Sequence, residues 1–501
     1  MVKLVFLSER PRWWLAGLVT GMGTAICLSV YMWQVWPGIE FLGLASCIAV
    51  VTLLSGMVSV RISGMKVVKQ ADYSAPNSAE RQAQRTSHRI WAGCTLAIAF
   101  ISSLATANIQ NQRTSAEQTV ANLDAKLKEY GGGIVLQDDE VVEIDFGSAP
   151  LALFDTASQY KQVTTVKIRG TTLSDEMLER TLAFPLLDFL DLSNSTVSAE
   201  QLRTIAQSNI NRLSVAGTGV SADEVNRVLF RDGNRPWKSI DFSSLGWTDA
   251  DLAMLRVWPV GELHLRDNQI TDDGLALLKR KAVYVLATSD NPIVGYGLSY
   301  MSNYLKELRA VNVPLTDDAI KAFASSGRSV YRLTLGGNQF TRNALPHLGC
   351  LSTTDLSIHD GMFSVEDVLK HFTRLSTLRL RGTNCRLPSA RIAKQSTIQN
   401  LDLRDSDVTN ADVAAALEFP HLRRLDLANT RIDDDAFSGL PDSTNWRISL
   451  NLTNTNVSAI ELARNKFHSV YIGLNQFSPR ELKMIREYTL IHVGERFPEF
   501  E

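Results

Sequence analysis

The sequence predicts an α/β solenoid, a stack of short parallel strands each followed by a helix, preceded by three helices able to cross a membrane. Three observations predict it. An apolar strand pattern followed by a helical one recurs about every 23 residues over most of the chain. A Ser, Thr or Asp stands before nearly every helical stretch, where its side-chain oxygen caps the unpaired N–H groups of a first turn. The first 110 residues hold three apolar runs, each near the ~20 residues that span a bilayer.

The apolar runs come first in the chain. Residues 13–36 carry no Lys, Arg, Asp or Glu; 39–60 are broken only by Glu40; 90–109 are uncharged. Trp13, Trp14, Trp33 and Trp36 flank the first run, where amphipathic rings favour the interface. Trp36-Pro37-Gly38 makes a turn, so the first two spans form a hairpin, and Gly17 and Gly21 form a GxxxG that could bring helices close. Lys3, Arg10 and Arg12 precede the first span, and 61–89 hold Arg61, Lys66, Lys69, Arg81, Arg85 and Arg89. Basic loops stay in the cytoplasm. The expectation is an integral protein of the inner (cytoplasmic) membrane with a cytoplasmic N-terminus, a basic cytoplasmic loop over 61–89, and everything after about residue 110 extracytoplasmic. A second reading of the third run stays open, because Ala105-Thr106-Ala107 imitates a cleavage site. The 61–89 loop reads as topology-setting, with anionic-lipid binding as the alternative.

Composition excludes several classes. The chain has 501 residues and a formal net charge of −2, so no global basic field draws it to nucleic acid. Its 5 cysteines are too few for a disulfide framework. Cys27, Cys47 and Cys94 lie in the apolar runs; whether Cys350 and Cys385 pair stays open.

The repeat is best seen in "LHLRDNQITDDGLALL", starting at Leu263. Leu263 and Leu265 alternate with His264 and Arg266, the pattern of a strand with one buried face. Asn268 follows, then the apolar anchor Ile270, the cap Thr271 and a helical stripe led by Leu275. The residue equivalent to Leu263 marks the register: Val166, Leu190, Leu213, Ile240, Leu263, Leu286, Leu308, Leu333, Leu356, Leu378, Leu401, Leu425, Leu450 and Val470. A partial copy, "VVEIDFGSAPL", starts earlier at Val141. The Asn268 position is also Asn at Asn291, Asn338 and Asn475, and Thr or Ser at Thr171, Ser195, Thr218, Thr383, Ser406, Thr430 and Thr455. A polar side chain there turns inward to satisfy backbone groups where the chain leaves the strand. Leu245, Val313 and Gly361 break that rule and predict less regular turns. An acid three residues after the cap predicts capping boxes at Ser221/Glu224, Ser458/Glu461 and Ser478/Glu481. No unit can bury both its strand face and its helix stripe alone, so neighbours must stack, strands parallel and helices outside.

Four regions follow. Residues 1–110 form the membrane part. Residues 111–162 form an N-terminal cap, with Val120, Leu123, Leu127 and Tyr130 on one helical face, Gly131 as a stop, and a hairpin in "GIVLQDDEVVEIDF". Residues 163–488 hold about fourteen repeats. Residues 489–501, in which the repeat pattern is lost, close the last turn.

These units resemble leucine-rich repeats. The block from Gln269 to Leu275 is similar to the ribonuclease-inhibitor-like and F-box-associated branch. The succession of helix, "YGGGIVLQDDEVVEIDF" and repeats resembles membrane-attached bacterial proteins of the planctomycete type. The resemblance implies a leucine-rich repeat solenoid that serves as a protein-interaction surface. It carries over no binding residues.

Motifs for catalysis were sought. No G-x-x-x-x-G-K-[ST], G-x-S-x-G, H-E-x-x-H or C-x-x-C occurs. The glycines at 131–133 follow a helix and read as a cap and turn, and the 8 histidines are scattered singly. The reading is a non-enzyme with no cofactor and no metal. Its candidate binding face is the exposed side of the strands: Arg379 and Arg381, Asp402 and Arg404, Asp426 and Ala428, with Arg332 and Arg424 just outside these columns and His359 on an exposed strand position. Two readings of the arginines stay open. They form a patch for an acidic partner, since guanidinium forks suit carboxylates, or they form a cross-strand ladder neutralised by Asp402 and Asp426. Two functions stay open as well. One is a membrane-anchored protein whose solenoid recognises a protein or other macromolecule. The other is a structural or assembly protein of the cell envelope whose solenoid oligomerises.

Overall fold

The computed structural model describes residues 116–494 and Phe497, apart from 233–235, 256–259, 280, 338, 360–362, 382–395, 439–445, 466 and 488. All of them fall within one compact unit, Arg113–Glu501. The spans expected at 13–36, 39–60 and 90–109 and the 61–89 loop lie outside the described residues. Among the described residues no helix is long and apolar enough to cross a membrane.

The sheet has 17 strands. It begins with the hairpin β1 (Gly133–Gln137) and β2 (Glu140–Gly147), then β3 (Thr165–Ile168), β4 (Phe189–Asp191), β5 (Arg212–Ser214) and β6 (Trp237–Asp241). The middle holds β7 (Val260–His264), β8 (Val285–Ala287), β9 (Glu307–Val311), β10 (Arg332–Gly336), β11 (Asp355–His359) and β12 (Thr377–Arg381). The end holds β13 (Asn400–Asp402), β14 (Arg424–Asp426), β15 (Trp446–Asn451), β16 (Phe467–Ile472) and β17 (Leu490–Val493). β1 and β2 are antiparallel across a turn in which Asp138 and Asp139 both hold positive φ, the geometry that matches the twist of a two-residue hairpin. From β2 onward each strand pairs in parallel with the next. The register residues read from the sequence meet one another in unbroken order: Val166 faces Leu190, Leu263 faces Leu286, and Leu450 faces Val470. Strands sit ~4.8 Å apart, while packed helices need 8–10 Å. The stack therefore curves with its strands inside.

Each unit buries its leucines because a strand this short can offer the core only two or three side chains. Leu263, Leu265, Ile270 and Leu275 are all 0 % exposed. Full burial of such a side chain stabilises by roughly 1.5–3 kcal/mol. The helices follow the same rule, as in Ala199–Gln207, where Leu202, Ile205 and Ala206 form the buried stripe. Ser198 caps it in a full box with Gln201. Boxes also form at Ser221/Glu224 and Ser478/Glu481 as expected, and at Thr248/Asp251, Ser364/Asp367 and Thr409/Asp412. The Ser458/Glu461 box does not close. The backbone N–H of Ser458 donates instead to Asp434 of the preceding unit, at 2.6 Å. Among the described residues, two units replace the α-helix by a 3-10 turn, at Tyr296–Tyr300 and Asp434–Ala436.

The Ser458 case belongs to a wider device. The first helical residue of one unit clamps the cap of the next. The carboxylate of Asp249 accepts from the backbone N–H (2.8 Å) and hydroxyl (2.5 Å) of Thr271, and that of Asp317 accepts from the same groups of Thr341. Asp272 accepts from the backbone N–H groups of Val294, Gly295 and Gly297. An acid at this position thus serves its own helix dipole and its neighbour's first turn.

The strand exits depend on two side chains in sequence. Gly170, Asn194, Gly217, Ser244, Asp267, Asp290, Asn312, Gly337, Asp405, Asn429 and Asn454 occupy equivalent positions and all have φ between 53° and 66°. Gly, and then Asn or Asp, adopts this left-handed conformation at small cost, which explains every member of the column but Ser244. The next residue turns inward. The Asn291 amide donates to the carbonyls of Leu265, Thr288 and Ser289 and accepts from the N–H of Ile270. Asn268 does the same one unit earlier and is 1 % exposed. The hydroxyls of Thr218, Thr430 and Thr455 donate only to their own strand, to Val215, Leu427 and Leu452. Asn475 departs from expectation. An extra residue enters before it, so Asn475 takes the left-handed position (φ 62°) and Gln476 turns inward to Leu452 and Gly473. Asn338, Thr383 and Gly361 lie outside the described residues.

The ends are closed differently from one another. At the N-terminus a helix over 116–128 buries Leu123 and Leu127, and its Asp124 accepts from the N–H of Ile134 in β1. Tyr130 lies beyond that helix and is 39 % exposed, not on its buried face as the spacing suggests. Its carbonyl crowds Gly147, where an added Cβ would come within 2.1 Å. At the C-terminus the segment after 488 does more than close a turn. β17 continues the sheet, with Ile491 facing Val470. Tyr471 stacks on His492 at 4.2 Å and takes the edge of Phe497 at 4.9 Å.

Replacing Asn291 with Leu leaves several buried backbone groups in two units without partners. At ~1–3 kcal/mol per orphaned group, the loss should reach ~3–5 kcal/mol. Thr430→Val removes one hydroxyl bond and should cost only ~1 kcal/mol. Urea midpoints of the two variants should differ accordingly, and equal midpoints would show that the amide does not bridge the units.

Candidate functional site

Alternate residues of a strand share a face, so each strand turns the residues before and after its register leucine away from the core, together with the one two further on. These make three columns along the strand face. The first contains Glu307, Arg332, Asp355, Thr377, Asn400 and Arg424 in neighbouring strands. The second contains Arg309, Thr334, Ser357, Arg379, Asp402 and Asp426. The third includes Gly336, His359 and Arg381, and continues past the ends of β13 and β14 to Arg404 and Ala428. Arg332 and Arg424, which sequence spacing places just outside the face, therefore stand on it.

Charges on this face pair across strands. Arg309 contacts Glu307 at 2.6 Å, Glu307 contacts Arg332 at 3.3 Å, Arg332 reaches Asp355 at 3.3 Å, and Asp355 holds Arg379 at 2.6 Å. The chain runs unbroken over β9 to β12. A second group spans β13 and β14, where Arg404 lies 2.9 Å from Asp402 and 3.1 Å from Asp426. Nearer the N-terminus Lys167 pairs with Glu143 and Arg169 with Asp145. Glu307, Asp355 and Arg379 are 10–14 % exposed at the side chain, and both carboxylates beside Arg404 are 0 % exposed.

Each candidate residue can now be placed. Arg379 and Arg404 are engaged in ion pairs, as is the half-buried Arg332. The Nε2 of His359 lies 3.0 Å from the hydroxyl of Ser357. Arg424 is half-buried and has no ion-pair partner among the described residues. Arg381 is the last residue of β12, and its side chain lies outside the described residues. Glu307, Arg309 and Asp355 were missed by sequence reasoning. Their signal is opposite charge at one repeat offset in successive units.

Burial strains some of these groups. Burial pushes the Asp355 carboxyl up despite Arg379 and Arg332 beside it. Burial, with Asp402 adding repulsion, pushes Asp426 up to about 6. Arg404 sits close to Asp426 Oδ2 but off the hydrogen-bond direction, so that buried oxygen has a counter-charge and no hydrogen-bond donor. Burial also pulls the His264 imidazole down, against the opposing pull of Asp241. Among the described residues no three His, Cys, Asp or Glu side chains could together hold a metal ion. The cavity between the units of β9 and β10 is a core void of ≈ 10 Å³ lined by Leu298, Leu308, Phe323 and other apolar groups, smaller than a ligand needs. Cys350 is exposed and free, and Cys385 lies outside the described residues.

This geometry defines a polar, cross-paired strand face, the surface of a repeat solenoid. The family described as Leucine Rich repeat matches residues 262–279, the unit around β7. No curated protein matches the chain. Similar solved structures include yeast Rad7 in its complex with Elc1 (13 % identity, TM-score 0.40, covering 83 % of this chain and 98 % of that one). An internalin of Listeria monocytogenes, inlF, is 15 % identical with TM-score 0.34, covering 67 % of this chain and 93 % of that one. Internalin C2 of the same organism is 20 % identical with TM-score 0.29, covering 48 % and 92 %.

An Asp held near pH 6 when folded, against ~3.9 unfolded, keeps the extra proton in the folded state. Stability then falls as pH rises from roughly 4 to 6. Asp426→Asn should raise the melting temperature at about pH 7.5 and leave it unchanged near pH 4; an equal change at both would show that Asp426 does not titrate in this window. Arg404→Ala removes the guanidinium that two buried carboxylates face and should cost ~3–5 kcal/mol. Arg424→Ala should stay within ~0.5 kcal/mol. Comparable urea midpoints for these two arginine variants would contradict the paired geometry.

Proposed function

We propose that this chain is a membrane-anchored recognition protein with no catalytic role of its own. Its solenoid stands outside the cytoplasm and binds a protein or other macromolecule along the strand face and its rims. The observation that carries the reading is the uninterrupted parallel sheet from β2 to β17, which presents polar side chains in fixed columns. Such a face suits an extended macromolecular surface and not a small substrate. The anchoring rests on the apolar runs at 13–36, 39–60 and 90–109, and the orientation on the basic residues before and between them. The block at Gln269 to Leu275 supports placing the repeats in the ribonuclease-inhibitor-like branch. Within this reading Arg332, His359, Arg379, Arg381, Arg404 and Arg424 belong to the recognition face. Arg379 and Arg404 contribute mainly by holding its charge ladder in place.

Two experiments test the proposal on the full chain. Protease added to intact spheroplasts should digest the repeats and spare the 61–89 loop; protected repeats would reverse the orientation. The tagged protein, captured from detergent-solubilised native envelope, should be a single copy with a stoichiometric heterologous partner. A homo-oligomer without one would favour the assembly role and overturn recognition.

A further inference from the structure

Besides the strand face, the molecule carries an aromatic rim that neither the charge ladder nor core packing explains. Successive return segments lead into β8 to β11, at 277–279 with 281–284, 299–306, 325–331 and 347–354. None contains an Asp or Glu. From them project Tyr284, Tyr300, Tyr304 and Tyr331, which are 45–55 % exposed. Rings of this size present roughly 400 Å² between them at that exposure, about half of what one partner contributes to a standard interface. Isolated exposed rings are ordinary, but here four rings lie along one edge in successive units, with two of them in contact and two beside lysines.

The rings are braced and charged. Tyr284 lies across the backbone of Gly261, where an added Cβ would come within 3.3 Å of it. Tyr304 meets Tyr284 edge to face, with centroids 6.0 Å apart. Lys306 lies 5.3 Å from the centre of the Tyr331 ring, and Lys279 5.6 Å from that of Tyr300. Neither lysine has an ion-pair partner among the described residues. Arg328, beneath the same rim, is 4 % exposed and spent on the carbonyls of Leu298 and Ser299, so the lysines supply the charge offered to solvent. A braced ring loses little freedom on binding, and Tyr beside a cation is the composition of interface hot spots.

Building on the recognition reading above, we infer that this rim docks an acidic polypeptide segment. Carboxylates would meet Lys279 and Lys306, and apolar or aromatic side chains would lie on the four rings. A nucleic acid fits less well. The described rim cations, Lys279 and Lys281 in one unit and Lys306 in the next, are too few for a continuous stripe along successive phosphates, and the chain is net negative.

Random-peptide phage display on the full-length protein tests this. Enriched peptides should combine Asp or Glu with apolar or aromatic residues, and their binding should weaken as salt rises. Synthesised peptides should bind about tenfold more weakly to the variant Tyr284→Ser/Tyr304→Ser. The variant Lys279→Glu/Lys306→Glu, which leaves the rings and their packing in place, should lose binding with an unchanged melting temperature. Neutral or basic consensus peptides, no enrichment, or acidic peptides that bind both variants as well as wild type would each overturn the rim. So would a single-stranded oligothymidylate that binds through the same residues while acidic peptides do not. Acidic peptides indifferent to the rim would leave recognition by the strand face standing. Failure of envelope capture, by contrast, would remove recognition itself.

Discussion

Everything in this solenoid depends on closing the backbone where the chain leaves each strand. Parallel strands ~4.8 Å apart pack their exits against one another, so the N–H and C=O groups there lose water on all sides. A left-handed residue turns the chain, and the side chain after it reaches back into the gap. Where that side chain is Asn, as at Asn268 and Asn291, one amide serves carbonyls and N–H groups of two units. Where it is Thr, as at Thr430, one hydroxyl serves its own strand. The leucine core supplies most of the stabilisation, but it can be assembled only because these exits are satisfied.

The same constraint shapes the strand face. Strands placed so closely force charged side chains of adjacent units together. Glu307, Arg332, Asp355 and Arg379 therefore alternate in sign along the sheet. At β13 and β14 the alternation fails, because Asp402 and Asp426 face each other directly. Arg404, arriving from beyond the strand, compensates from the side. The stress left over appears as the elevated titration of Asp426.

Much of this was legible in the sequence, and the parts that were not have physical reasons. The register residues from Val166 to Val470 are readable because a leucine at a fixed offset has one role, burial, whatever its neighbours are. The left-handed column was there to be read in Gly170, Asn194, Asp267 and Asn312, but its signal lies in backbone permissiveness and not in hydropathy. Asn475 was misplaced because one extra residue before it shifts the frame without altering the apolar pattern. β17 escaped notice because Leu490 to Val493 pairs through its backbone and retains little of the leucine skeleton. The clamp from Asp434 to Ser458 was hidden by a plausible local partner, Glu461. Fixed spacing predicts contacts within a unit better than contacts between units. For the candidate face, Arg379, Arg404 and the acids Asp402 and Asp426 were found by offset, whereas Asp355, which engages Arg379, needed the sheet register.

The aspartate clamps give the solenoid an uneven grain. Asp272 grips three N–H groups of the following unit, Asp249 and Asp317 grip two groups each, and Asp434 holds one. In a structure where each unit touches only its neighbours, cooperativity is set by such junctions one at a time. A chain drawn out from one end would therefore not yield smoothly. It would give way in blocks: the units of β6 to β8, joined through Asp249 and Asp272, would part together, as would those of β9 and β10, joined through Asp317, and the tyrosine rim lies along the edge of these units. The surface offered to a partner rests on units joined by these clamps, so a pull exerted through that partner would be carried along the sheet before it could loosen the site.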